Sequence, residues 1–332
     1  MVCFLVPLIA VGQDDEKPAF PLETIYAKRK PWGVRKILKN FRFSLSTGYG
    51  HTFMSHKLDG YGIIQAKNAS PEIFLNTNPS IRYSNWVNRG VQDSTSSVPV
   101  DAFKVSSDSA KLRYKGAAWN IPLNAMIHYE FLQRYRIGIG YSYEYMNIGA
   151  MKPTTFKDKL ANFQPTPKAG FMSKFYGMAG ISFYRIDNFL FTGDIQAGTF
   201  KPGKNYDLSQ IKKGLYVNAG VTIEREFSEY LKAFLRPSFE FKNYTINLPN
   251  SDKPLPHYMN AFYVNIGLTY AIPDLPKCFH PECHSQMNHV HGDREYRSRM
   301  HRIWKKQNPL YGENNPKLIK YKGKNKRKMN PY

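Results

Sequence analysis

The sequence contains no run approaching the roughly 20 apolar residues that a membrane-spanning helix requires, and its mean hydropathy is −0.50. A helical membrane protein is thereby excluded. A membrane barrel is not, because its strands turn only alternate residues to lipid and keep average hydropathy low. The sequence also lacks a G-x-S-x-G element. His51, His56, His128 and His257 are scattered, so spacing alone assembles no nucleophile, base and orienting partner. Cysteine is scarce: Cys3, Cys278 and Cys283 are the three in the chain. Cys3 lies within an apolar stretch without lipobox spacing, which argues against a lipid anchor. Acidic residues are few, 25 against 47 Lys and Arg, for a net charge of +22.

The first apolar stretch, Val2 to Val11, is short, and small residues stand at its end, at Ala10 and Gly12. It has no basic leader, yet it reads as a signal peptide over 1–12, with Gln13 as the mature start. Residues 13–40 carry Pro18, Pro21 and Pro31 without a sustained period and are expected to form a periplasmic N-terminal segment. Export places the remaining cysteines in an oxidising compartment. It also turns the basic charge away from nucleic acid and toward lipopolysaccharide phosphates, anionic headgroups or an acidic partner protein.

Aromatic residues are abundant at 15%, with 23 Tyr and 22 Phe. They fall in a repeated pattern of period two. In the stretch from Arg136 to Tyr145, Ile137, Ile139, Tyr141, Tyr143 and Tyr145 share one face, while Gly138, Gly140, Ser142 and Glu144 share the other. Comparable stretches lie at 41–52, 116–131, 170–184, 189–200, 214–227, 231–246 and 258–271. Their connections alternate long and short. The pattern predicts an all-β, eight-stranded antiparallel transmembrane β-barrel over 41–271 in a bacterial outer membrane, with both termini periplasmic. A soluble β-sandwich also alternates and is the rival fold. Eight strands leave a lumen just wide enough for side chains to fill, which argues against a substrate pore. Pro122 cannot donate to a ladder, so a bulge is expected there. The insertion at 56–111 is expected to be a long loop, with Tyr61–Gln65 and 80–83 as an extra hairpin.

The inward face carries Arg42, His128, Glu144, Lys174, Asp194, Glu224, Arg236, Glu240 and Lys242. With both signs present, these residues read as a plug of paired charges rather than an acid–base site.

A C-terminal extension follows over 272–332. Its sharpest feature is Cys278-Phe279-His280-Pro281-Glu282-Cys283-His284, with His289, His291 and His301 beyond. Three readings stand side by side. Cys278 and Cys283 can form a local disulfide. They can hold a metal together with His280, His284, His289 or His291, the most local set being Cys278, His280, Cys283 and His284, and this ligand chemistry suits zinc. One of them can also link covalently to a partner. No other cofactor is expected. Residues 292–307 are expected to form a short basic amphipathic helix. From His284 onward there are 13 Lys or Arg against three Asp or Glu. Aromatics interleaved with that charge suggest a tail that orders on a docking surface. Trp304, Tyr311 and Tyr321 would supply contact area, and Lys305 and Lys306 electrostatic steering.

The eight-strand pattern over 41–271 and the tail from Cys278 resemble the PorG-like outer-membrane barrels of the Bacteroidetes type IX secretion machinery. The resemblance implies attachment to a periplasmic ring of lipoprotein and partner subunits with cysteine participation, a role that here falls to Cys278 or Cys283. The sequence therefore leads to the expectation of a non-enzymatic outer-membrane anchor whose basic tail docks a periplasmic assembly. The alternatives are a lipid-modifying enzyme of the outer membrane, or a small channel or adhesin that works through 56–111.

Overall fold

A computed structural model describes residues 33–93, 101–132, 134–186, 189–292, 294–300 and 302–304. The signal peptide expected over 1–12, Lys305, Lys306, Tyr311 and Tyr321 lie outside the described residues. In chain order the elements are α1 (Gly33–Leu38), β1 (Phe41–Lys57), β2 (Tyr61–Gln65), β3 (Glu72–Leu75), β4 (Asn78–Ser84), β5 (Val91–Asp93) and β6 (Phe103–Ser106). Then come β7 (Arg113–Phe131), β8 (Tyr135–Ile148), β9 (Lys152–Pro153), β10 (Ala169–Ile186), β11 (Phe189–Pro202) and β12 (Ile211–Glu226). The last are β13 (Leu231–Ile246), β14 (Leu255–Ala271), β15 (His289–His291) and β16 (Arg294–Tyr296).

Eight long strands pair in the order β1-β14-β13-β12-β11-β10-β8-β7, and β7 returns to β1, so the ring is closed and antiparallel. Closure removes the unpaired edges that an open sheet would expose. Period-two alternation sends one set of side chains outward, and that set is apolar. Leu45, Tyr49, Phe53, Leu123, Ile137, Ile139, Phe175, Ile195, Phe241, Ile266 and Leu268 are all exposed, Ile266 at 61%. The inward set is polar: Ser44, Asn120, Ser142, Glu144, Lys174, Asp194, Gln196, Asn218, Glu224, Arg236, Glu240, Lys242 and Thr269 are buried. A water-soluble barrel or sandwich has the opposite arrangement. The inversion requires lipid as the outer solvent, and the chain is a transmembrane β-barrel.

The connections segregate by length. Short turns join β7 to β8, β10 to β11 and β12 to β13 at one end. The long connections leave the other end, and both β1 and β14 have their outer termini on the short-turn side. Two glycines make room for aromatic rings in the narrow lumen. A Cβ on Gly50 would strike the Tyr263 ring at 2.2 Å, and one on Gly140 the Tyr176 ring at 2.6 Å.

Three local expectations are corrected. Pro122 carries no bulge: β7 pairs with β8 in unbroken register through Pro122↔Glu144. On its other side the pairing with β1 lapses between Thr47 and Gly50 and resumes without a shift. The missing N–H is accommodated by a gap in one ladder. Register shifts fall instead between Ser182 and Tyr184 and between Lys213 and Tyr216. Over its described residues the 56–111 insertion is a folded cap rather than a loop with one hairpin, a five-stranded sheet in the order β5-β4-β3-β2-β6. Tyr61–Gln65 is a strand as expected, but its partners are β3 and β6 and not the 80–83 segment. Finally, Gly33–Leu38, expected to be irregular, forms a short helix.

The cap and the extended barrel rim share one apolar core. Trp86, Tyr61, Tyr83, Ile73, Tyr114 and Met151 are fully buried in it, with Tyr244 and Phe163 packed against them. Trp86 stacks on Phe163 with centroids 4.6 Å apart. The Tyr244 hydroxyl donates to the Val87 carbonyl at 2.7 Å and the Tyr83 hydroxyl to that of Pro249 at 2.6 Å, pinning the cap to β13 and to the β13–β14 connection. The long-loop mouth is thereby covered.

Candidate functional site

Three places concentrate chemically capable side chains: the lumen, the rim beneath the cap, and the C-terminal hairpin. In the lumen, strand alternation brings charges from seven strands into one column. Lys174 Nζ lies 2.5 Å from Glu144 Oε2 and 2.8 Å from Glu240 Oε1. Lys242 Nζ is 2.7 Å from Glu240 and 3.6 Å from Glu144. The Tyr263 hydroxyl and the Asn120 amide donate to Glu144 as well. One layer further toward the short turns, Arg236 donates to Asp194 at 2.5 and 2.8 Å and to the Asn218 amide oxygen at 2.7 Å. At the mouth itself, Arg136 grips Glu224 through two bonds of 2.6 Å, and Glu130 takes Arg136 at 3.1 Å and Arg42 at 3.0 Å.

Buried charges are tolerated when paired and hydrogen-bonded, and each of these cations has a carboxylate partner. The column is thus the plug of paired charges expected from the inward face. A cavity of about 40 Å³ among Ser46, Asn124, Ser142, Lys174 and Tyr263 has room for only a few waters.

Beneath the cap, His56 and His257 are fully buried with ring centroids 4.3 Å apart. Sequence reasoning could not join them, since 201 positions separate them; the β1–β14 register does. Their surroundings are aromatic, with Tyr244 stacked on His257 at 4.7 Å and Trp86 edge-on to His56 at 5.8 Å. His128 stands 3.7 Å from Glu130 at the opposite mouth. His51 packs against Phe53 on the barrel wall. Among the described residues, no serine is hydrogen-bonded to His56, His128 or His257.

The C-terminal hairpin is the third place. Residues 292–307 are not a helix over their described part: Arg294–Tyr296 is a strand paired with His289–His291. The tight connection begins at Gly292, whose φ of 63° is a conformation that glycine adopts without a Cβ penalty. A parallel bridge between Lys277 and Arg297 ties the cysteine segment to this hairpin, through Cys278 N to Arg297 O at 2.9 Å and Arg297 N to Pro276 O at 2.8 Å.

The expected disulfide is not formed; Cys278 and Cys283 are both free. Each sulfur faces an imidazole instead. Cys278 Sγ is 3.2 Å from His291 Nε2, and Cys283 Sγ is 3.1 Å from His289 Nε2. The four donor atoms lie within 4.8 Å of one another. His280 and His284, the nearest histidines in sequence, are not among the four. The His280 ring lies tilted against that of His291, with centroids 4.4 Å apart, and His284 is exposed. Burial raises the Cys278 thiol, while desolvation and the neighbouring His280 and His289 lower His291.

The hairpin is clasped to the short-turn end of the barrel. Arg297 forms an ion pair with Glu229 at 2.8 Å and lies over the Tyr230 ring at 4.6 Å, both on the β12–β13 turn. The Ser228 hydroxyl donates to the Ile303 carbonyl. From the other terminus, Arg35 donates to the Pro273 carbonyl at 3.2 Å and Lys39 pairs with Asp274 at 3.1 Å. The sequence showed the Ser228-Glu229-Tyr230 turn but gave no sign that it is a landing site. Trp304 is half-exposed beyond the clasp, with the Arg302 guanidinium 5.4 Å over its ring.

No protein-family model and no curated protein matches the chain. Similar solved structures include the outer membrane protease OmpT from Escherichia coli, at 14% identity, covering 70% of this chain and 97% of that one, with a TM-score of 0.31. The outer membrane protein OprG from Pseudomonas aeruginosa is 9% identical, covering 70% and 96%, with a TM-score of 0.31. The translocator domain of autotransporter NalP from Neisseria meningitidis is 12% identical, covering 75% and 95%, with a TM-score of 0.23. The closed ladder and its inverted polarity make the chain an eight-stranded antiparallel β-barrel of the membrane-spanning kind.

Proposed function

We propose that the protein is a non-enzymatic anchor of the bacterial outer membrane whose C-terminal extension docks a periplasmic protein assembly, in the manner implied by its resemblance to the PorG-like barrels of the type IX secretion machinery. The clasp on Glu229 and Tyr230 carries the reading. It fixes the start of the extension on the short-turn side, which is the periplasmic side of outer-membrane barrels. The filled lumen and the cap leave that extension as the part best suited to a partner. Confining it to the plane of the membrane raises its effective concentration near partners in the same layer. The basic residues of the tail steer it toward acidic surfaces, and the exposed face of Trp304 supplies apolar contact.

The experiment compares the full chain with a form ending at residue 272. Both are expressed in the native host and purified from outer membranes in mild detergent, and the ring lipoprotein of the secretion machinery is quantified. The full chain is expected to retain that lipoprotein in fixed ratio, and the shortened chain to lose it while remaining a folded barrel. Equal retention by both forms, or none by either, contradicts the reading.

A further inference from the structure

From the four converging donors we infer that Cys278, Cys283, His289 and His291 form a structural zinc site that holds the C-terminal hairpin in shape. The site is independent of which partner the extension docks. A tetrahedral zinc with Zn–S of about 2.3 Å and Zn–N of about 2.0–2.1 Å has ligand-to-ligand edges of roughly 3.3–3.8 Å. The sulfur–nitrogen pairs at 3.1 and 3.2 Å open by a few tenths of an ångström, and the widest separation in the cluster, no more than 4.8 Å, closes by about 1 Å at most, to surround a central ion.

Orientation supports the same conclusion. His289 Nδ1 is 2.9 Å from the Met287 carbonyl oxygen. A carbonyl only accepts, so Nδ1 holds the proton and Nε2 presents its lone pair toward Cys283. This outer hydrogen bond is the arrangement by which proteins fix metal-ligating histidines. His289 and His291 are two apart on β15, so the strand period points both rings to one side, over the cysteine segment. Two thiolates neutralise a divalent ion, and four protein ligands close the coordination sphere, as in structural rather than catalytic zinc sites.

The fold of this region also calls for a staple. Its two strands have three residues each, and an isolated two-stranded hairpin is marginal in water. Among the described residues beyond β14, Cys278 and Tyr296 are the buried apolar side chains. So small a core is ordinarily reinforced by a disulfide or a metal, and both cysteines are free. On binding, each thiol loses its proton to solvent and no electrons are transferred.

The test uses the full chain purified in detergent with added zinc sulfate, desalted, and assayed for metal by mass spectrometry and for free thiols. One zinc per chain is expected, with cobalt replacing it to give the visible absorption of a tetrahedral thiolate–imidazole site. Cys283→Ser and His289→Ala should each lose the metal, and His284→Ala should keep it. Treatment with a chelator should render 272–304 sensitive to protease while the barrel stays intact. Zinc below about a tenth of an equivalent, retention of full stoichiometry in His289→Ala and Cys283→Ser, or an intramolecular disulfide that persists when the protein is prepared with zinc would overturn the assignment.

Discussion

Replacing Lys174 by methionine isolates the energetic role of the lumen plug. In the native barrel, Lys174 Nζ sits between Glu144 and Glu240 at 2.5 and 2.8 Å, and all three side chains are buried. Lys174→Met removes one positive charge and leaves two carboxylates sharing Lys242, which is 3.6 Å from Glu144. Removing one partner of a buried pair strands the other and costs about 3–5 kcal/mol. The double variant Lys174→Met/Glu240→Gln restores one cation, Lys242, to one carboxylate, Glu144. It should recover about 0.5–3 kcal/mol relative to the sum of the single changes, the range of coupling between contacting residues. Urea unfolding in detergent micelles, followed by electrophoretic mobility of folded and unfolded barrel, measures all four states of the cycle. A cost below about 0.5 kcal/mol for Lys174→Met, the level of an ordinary surface change, would refute the reasoning. So would a double variant whose cost equals the sum.

Two further perturbations separate the cap from the extension. Trp86→Ala empties the centre of the cap core, where the ring is fully buried and stacked on Phe163. The change should cost about 3–5 kcal/mol locally, so protease added outside intact cells should cut within 58–112 while the barrel remains folded; an uncut cap refutes the packing described. Arg297→Ala removes the ion pair to Glu229 and the ring contact with Tyr230. Together these are worth about 2–4 kcal/mol. The variant should release 272–304 to protease in membrane preparations opened to the periplasmic side, with unchanged barrel stability, whereas unaltered protection would show that the clasp does not depend on this residue.

The barrel was legible because its strands alternate cleanly over long stretches. Ile137, Ile139, Tyr141 and Tyr143 recur at every second position, and all four are exposed. The cap was not legible for the opposite reason. In Tyr61–Gln65 four consecutive residues are buried, so the period disappears, and its partner β6 lies across some forty residues of sequence rather than across a turn. The donor cluster was half legible. Cys278 and Cys283 stood out by their scarcity, but proximity in sequence favoured His280 and His284. Selecting His289 and His291 required knowing that 289–291 is a strand, and the basic character of 292–307 suggested a helix instead. The landing site on Ser228, Glu229 and Tyr230 left no pattern, because a turn that receives another segment has the same composition as one that faces solvent.

The central claim is that lipid is the solvent for the outward residues. Spin labels placed one at a time at residues 262, 264, 266 and 268, and at the inward residue 265, test it along a single strand, β14. The labels would be attached to cysteines introduced in a Cys278→Ser/Cys283→Ser background reconstituted in vesicles. Outward labels are predicted to collide freely with dissolved oxygen and hardly at all with a water-soluble nickel chelate, and the label at 265 is predicted to be shielded from both. Equal access of the nickel chelate to residues 264, 266 and 268 and to the exposed loop residue Lys253 would contradict the account.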